Sequence, residues 1–189
     1  RDANALVKEV WRNTTLEDCV ELLQSGWHEH RTIALSIMVK RFAAADEAEQ
    51  GRIYEAYLAN TSRINNWDLV DCSADKIVGA WLDKRDRAIL YKLAESALIW
   101  DRRIAIISTH YFIRNGDFKD TLTLAEKYMG DRHDLIHKAT GWMLREVGKR
   151  DEAVLCAFLD KHAKQLPRTA LRYALEKMTP EQREHYMER

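Results

Sequence analysis

The chain has 189 residues, with 30 Lys and Arg balancing 30 Asp and Glu, 46% apolar residues, and only 7 Gly and 2 Pro. That length fits one domain or one short repeat array, and a chain so poor in turn-forming residues reads as helical rather than β-rich. No apolar run approaches the roughly 20 residues of a membrane span, and no charged-then-apolar leader is present, so membrane and secreted classes fall away and the expectation is a cytoplasmic protein.

Taken in chain order, the first signal is an amphipathic pattern already running through Ala5-Leu6-Val7, behind an Arg1 that stands where Met would. This predicts a domain over residues 1–189 that lacks its N-terminal helices. Thr15 with Asp18 offers an N-cap hydroxyl and a carboxylate three residues on, the arrangement of a capping box. Four helix pairs follow, at 28–43 with 47–61, 66–82 with 86–97, 100–115 with 118–129, and 134–148 with 151–163. The longer members begin near Trp27, Trp67, Trp100 and Asp134, a spacing in the range of helical-pair repeats. Gly116 and Gly148 stand where helices end in a left-handed residue, while Pro167 and Pro180 suit helix starts. Such pairs cannot bury their apolar faces alone, so the pattern predicts an all-α solenoid with a concave surface.

Charge and cysteines narrow the chemistry less. Residues 1–60 carry 7 basic against 10 acidic side chains, 61–129 carry 11 against 10, and 130–189 carry 12 against 10, a gradient that permits a basic face without demonstrating one. Cys19, Cys72 and Cys156 are far apart and form no CxxC pair, which suits buried reduced thiols rather than a disulfide framework or cysteine zinc site.

Three segments carry residues too polar or too aromatic for packing alone. Trp67 and Asp71 are four apart, so an indole and a carboxylate share one helix face; the spacing alone also fits a core Trp and a solvated Asp. Arg102 and Arg103 occupy the first turn of the helix near Trp100, where cations oppose the helix dipole and call for an anion, either a carboxylate or a phosphate. His110 and Arg114 continue the Arg103 side. Lys138, Trp142, Arg145 and Lys149 recur at helical spacing as a stripe of base, aromatic, base, base, which suits a phosphate backbone with a ring beside it, or equally a solvated face. Gly141 beside Trp142 weakens its helix by about 1 kcal/mol relative to Ala, so a close backbone approach is expected there. His133 and His137 are four apart, but the Glu of an HExxH helix is missing and no third ligand is evident, so no metal is predicted. No phosphate loop, nucleophile elbow or dinucleotide fingerprint occurs.

These segments together resemble the DNA alkylation repair family, the HEAT-like alkylpurine DNA glycosylases. The likeness rests on Asn66-Trp67-Asp68-Leu69-Val70-Asp71, on Trp100 with Arg103-Ile104-Ala105-Ile106, on His133 to Ala139 running into Gly141-Trp142-Met143-Leu144-Arg145-Glu146, and on Pro167-Arg168-Thr169 with Leu171-Arg172-Tyr173-Ala174. The resemblance implies a HEAT-like superhelix with a DNA-binding cleft. It makes Asp71 the catalytic carboxylate, Trp67 and Trp142 the aromatic walls, and Arg103 a backbone contact. Arg145 is expected at a phosphate, with Lys138, Lys149, Arg168 and Arg172 as further contacts. The implied protein is a monomer acting without cofactor or metal on duplex DNA that contains alkylated purines, associated with the nucleoid if the source is bacterial. The residues alone leave open a module that binds damaged or branched DNA without excision, or a protein-binding scaffold.

Overall fold

A computed structural model of the protein describes residues 3–188, which form helices and turns with no strand among them. Their contacts fall into two compact units, 1–86 and 87–189.

The first unit opens with α1 (Ala3–Val10), α2 (Leu16–Leu23), α3 (His28–Ala44) and α4 (Glu47–Ala59). The capping box at α2 forms as expected: Thr15 Oγ accepts the Asp18 N–H at 3.1 Å, and Asp18 Oδ2 accepts the Thr15 N–H at 2.8 Å. Leu23, Leu35, Met38, Ile53 and Tyr57 are fully buried between these helices. A 3-10 turn at Thr61–Arg63 leads to α5 (Trp67–Asp71) and a π-helical segment, Asp75–Gly79. The continuous helix expected over 66–82 is therefore interrupted. Ser73 sits at the break: its hydroxyl donates to the Leu69 carbonyl at 2.6 Å and lies 2.9 Å from the Tyr57 hydroxyl. A side-chain donor on a helix carbonyl competes with the backbone ladder and loosens it locally.

The second unit contains α6 (Ala88–Leu93), α7 (Ile99–Arg114), α8 (Lys119–Lys127), a 3-10 turn at Tyr128–Gly130, α9 (Asp134–Arg150), α10 (Glu152–His162), α11 (Arg168–Ala174) and α12 (Pro180–Met187). Helix α9 is central to it, packed against α7, α10 and α11. Gly116 ends α7 with φ of +79°, as its position foretold. Gly148 does not end α9, which runs on to Arg150. The absent side chain instead admits Leu155 of α10, whose Cδ2 a Cβ would strike. At Gly141 a Cβ would land on the Ala170 carbonyl oxygen and on Cβ of Tyr173, so the close approach expected there is made by α11. Pro180 begins α12 inside a capping box of Thr179 and Gln182, whereas Pro167 caps α11 from outside its first turn.

The repeat has a chemical signature at its helix starts. Ser25, Ser96 and Asp131 each accept, through the side chain, the N–H two residues on, at 3.1, 3.1 and 2.8 Å. Six residues after each, Arg31, Arg102 and His137 reach back to the carbonyl of that same loop residue, at 2.8, 3.0 and 2.7 Å. A long donor in the first helical turn thus satisfies a loop carbonyl that helix formation leaves exposed.

Candidate functional site

In the first unit the pattern centres on α5. Asn66 caps it by accepting the Trp67 N–H at 2.8 Å, which brings Trp67 and Asp71 to the two ends of a short helix, one turn apart. Leu69 and Val70 anchor the opposite side and are wholly buried. Trp67 is 52% exposed, which excludes the alternative of a core indole; Asp71 is half-buried. Asp68 accepts the Leu69 N–H at 2.9 Å through Oδ1 and meets His28 Nε2 at 2.7 Å through Oδ2. Burial pushes the Cys72 thiol up to about 11; Lys76 opposes that shift and the Asp68 and Asp71 carboxylates reinforce it. The thiol next to Asp71 is thus protonated and unreactive at neutral pH.

In the second unit, Arg102 and Arg103 answer the question their positions raised, and differently from each other. Arg102 pairs with the Asp131 carboxylate at 2.8 Å and donates to the Ser96 and Ala97 carbonyls. Arg103 is 4% exposed and donates to the Leu135 carbonyl at 2.5 Å, in the first turn of α9. A guanidinium so enclosed holds α9 against α7. On α9 itself, each cation of the stripe has a carboxylate. Lys138 pairs with Asp134 and Lys149 with Glu146, both at 2.7 Å, and Arg145 pairs with Glu176. Arg168 and Arg172 are exposed on α11; Arg168 donates to the Met187 carbonyl at 2.8 Å.

Trp142 is held rather than loose. Its indole N–H donates to Glu146 at 3.2 Å, and its ring meets the His110 imidazole at a centroid distance of 5.9 Å. Burial raises the pKa of Glu146, but the Lys149 hydrogen bond and charge, with help from His110 and Trp142, outweigh it and hold the group below the usual carboxylate range. Glu146 therefore organises the stripe, and the sequence reasoning left it out. Its signal was present, since Trp142 precedes it by one turn and Lys149 follows it by one. His28 was missed as well, because its partner Asp68 is 40 residues away. His133 and His137 serve α9 as caps: His133 Nδ1 accepts the Leu135 N–H at 3.2 Å.

These features define an all-α helical-repeat protein that carries an exposed indole beside a carboxylate and an aromatic-centred row of cations. A sequence model of the family described as DNA alkylation repair enzyme matches residues 1–178, and the chain belongs to that family. Membership supports a role in DNA repair. A solved structure described as a predicted DNA alkylation repair enzyme from Enterococcus faecalis matches with a TM-score of 0.76, over 95% of this chain and 85% of that one. At 17% identity that likeness speaks to the fold alone. No curated protein sequence matches the chain.

Proposed function

We propose that the protein is a monofunctional DNA glycosylase that hydrolyses the N-glycosidic bond of cationic N3- or N7-alkylated purines in duplex DNA. The observation that carries this reading is the half-exposed Trp67 one helical turn from Asp71, in a chain of the DNA alkylation repair family. An alkylated purine of this kind is already a good leaving group, because the electron pair of the C1′–N bond neutralises its ring as the bond breaks. Positive charge then grows on the sugar. An ionised Asp71 stabilises that charge and orients the water that attacks C1′, whose proton passes to solvent as the hydroxyl forms. Trp67 contacts the lesion nucleotide by dispersion and cation-π attraction, and Trp142 gives the second unit an aromatic contact to DNA. Lys138, Arg145, Lys149, Arg168 and Arg172 contact phosphates, and Arg103 acts by fixing the start of α9.

The test is release of 7-methylguanine or 3-methyladenine from alkylated duplex DNA. The protein is expected to free base well above the spontaneous rate. Asp71→Asn is expected to abolish release while circular dichroism and melting stay close to wild type. Binding to alkylated DNA without release would overturn the enzymatic reading and leave a binding module.

A further inference from the structure

Among the described residues, the large apolar side chains most open to water are two indoles, Trp27 at 70% and Trp67 at 52%. Other tryptophans have close ring partners: Trp81 stacks on Tyr54 at 5.6 Å with the Arg85 guanidinium 3.8 Å above it, and Trp142 is held by His110 and Glu146. The two exposed indoles are also near each other in the first unit. His28, next to Trp27, and Asp68, next to Trp67, are joined at 2.7 Å, so the chain segments that bear the two indoles meet there. Aromatic surface left wet in one place marks a contact surface rather than a packing defect.

The charges behind Trp27 indicate what it contacts. The loop before α3 is gripped by two arginines. Arg31 donates to the Ser25 carbonyl at 2.8 Å. Arg63, from the 3-10 turn, donates to the carbonyls of Leu23, Gln24 and Ser25 at 3.1, 2.6 and 3.0 Å. Two guanidiniums thus converge on one carbonyl oxygen, and neither has a carboxylate partner among the described residues, unlike every cation of the α9 stripe. Carbonyls accept from both guanidiniums but leave their charge uncompensated, the buried Nε of Arg31 has no hydrogen-bond partner, and the two cations repel. An anionic group at the loop relieves that repulsion, and a ring beside paired cations is the combination that grips a nucleic-acid backbone.

We propose that the loop from Gln24 to Trp27 is a DNA-backbone contact, in which Arg63, with Arg31 behind it, faces a phosphate and Trp27 packs on the neighbouring sugar or base. The His28 to Asp68 bond fixes this contact relative to Trp67. The proposal rests on the DNA-binding part of the function proposed above, but not on base release.

The test uses the whole chain with a fluorescein-labelled duplex of about 20 base pairs, with or without one 7-methylguanine, titrated by anisotropy at several KCl concentrations. Trp27→Ala is expected to weaken binding to both duplexes roughly 5-fold or more, within the range known for single stacking contacts, and Trp27→Phe to restore most of it. Arg63→Gln is expected to weaken binding to both and to make the salt slope shallower by about 1, with Arg63→Lys keeping the slope. Trp27 bears no packing load, so its variants should fold and melt as wild type even if Arg63→Gln loosens the loop. Wild-type affinity in Trp27→Ala overturns the proposal, as does an unchanged slope in a folded Arg63→Gln. A wild type that binds duplex but releases no base sinks the glycosylase reading and leaves this one standing.

Discussion

At the scale of single residues, the proposed phosphate contacts set stability against binding at Glu146. It neutralises Lys149 at 2.7 Å, lies 3.7 Å from Nε of Arg145, and accepts the Trp142 indole. A phosphate arriving at the stripe must take these cations away from carboxylates. Lys149 is 43% exposed, and surface ion pairs are worth only about 0.2–1 kcal/mol, so its release is cheap but not free. Glu146→Gln keeps an acceptor for the indole and removes the competing charge. It is expected to tighten binding to undamaged duplex about 2- to 5-fold in low salt, read by anisotropy, while leaving the Trp142 fluorescence maximum nearly unmoved. Weaker binding would mean that Glu146 holds the cations in place more than it competes for them. The carboxylate also gives an acid sensitivity whose sign is fixed. Because the folded pKa of Glu146 lies below its unfolded value, its contribution to stability is complete above the unfolded value, about 4.3, and is lost as pH falls through the folded one. Asp117 behaves in the same way, since the Arg87 hydrogen bond at 2.7 Å outweighs the effect of burial. Melting temperature should therefore be insensitive to these groups from pH 7 to about 5 and fall below about 4, and wild type should lose more than Glu146→Gln over that acid range.

At the scale of elements, glycine and serine decide how helices meet and break. Gly141→Ala would gain about 1 kcal/mol of helix propensity, but its methyl collides with backbone of α11, which cannot rotate away. The expected net loss is about 1–3 kcal/mol by urea denaturation. Gly148→Ala meets only the end of the Leu155 side chain and should cost less. Ser73→Ala removes the 2.6 Å bond to Leu69 and strands the hydroxyl of Tyr57, which is completely buried, for an expected loss of about 1–3 kcal/mol. If base release falls further than stability in that variant, the π-helical segment sets the aim of Asp71. These elements also show what could be read in advance. Helix starts near 28, 67, 99 and 134 were legible because apolar periodicity and caps are local, and so was the neighbour pressing on Gly141, though not its identity. The break after Asp71 was not legible, because Ser73 looks like any helical serine until Tyr57 is brought beside it. Trp67 with Asp71 and the α9 stripe were legible as spacings. The enclosure of Arg103 was not, since an arginine's exposure depends on whether a carbonyl from another helix lies within reach.

At the scale of the whole molecule, the balanced charge hides a separation. Residues 1–86 carry 11 Lys and Arg against 15 Asp and Glu, and residues 87–189 carry 19 against 15. The acidic unit holds Asp71, suited to a cationic base, and the basic unit holds the α9 and α11 cations, suited to phosphates. With no net charge there is little long-range attraction to DNA, and at physiological salt any field decays over roughly 8 Å. Affinity must then come from cations that touch phosphates. On the proposed reading Lys138, Arg145, Lys149, Arg168 and Arg172 would supply up to five such contacts and Arg63 a sixth; each phosphate neutralised releases close to one counterion, about 0.9 in the slope of log K against log salt. The expected slope for undamaged duplex is about −4 to −6, with Arg172→Gln making it shallower by about 1 at an unchanged melting temperature. The association rate should stay near the unsteered range of roughly 10⁵–10⁶ per molar per second and change little with salt, so that salt acts through dissociation. A slope shallower than about −2 would show that the carboxylates on α9 keep their cations when DNA binds, and would move the phosphate contacts away from that helix.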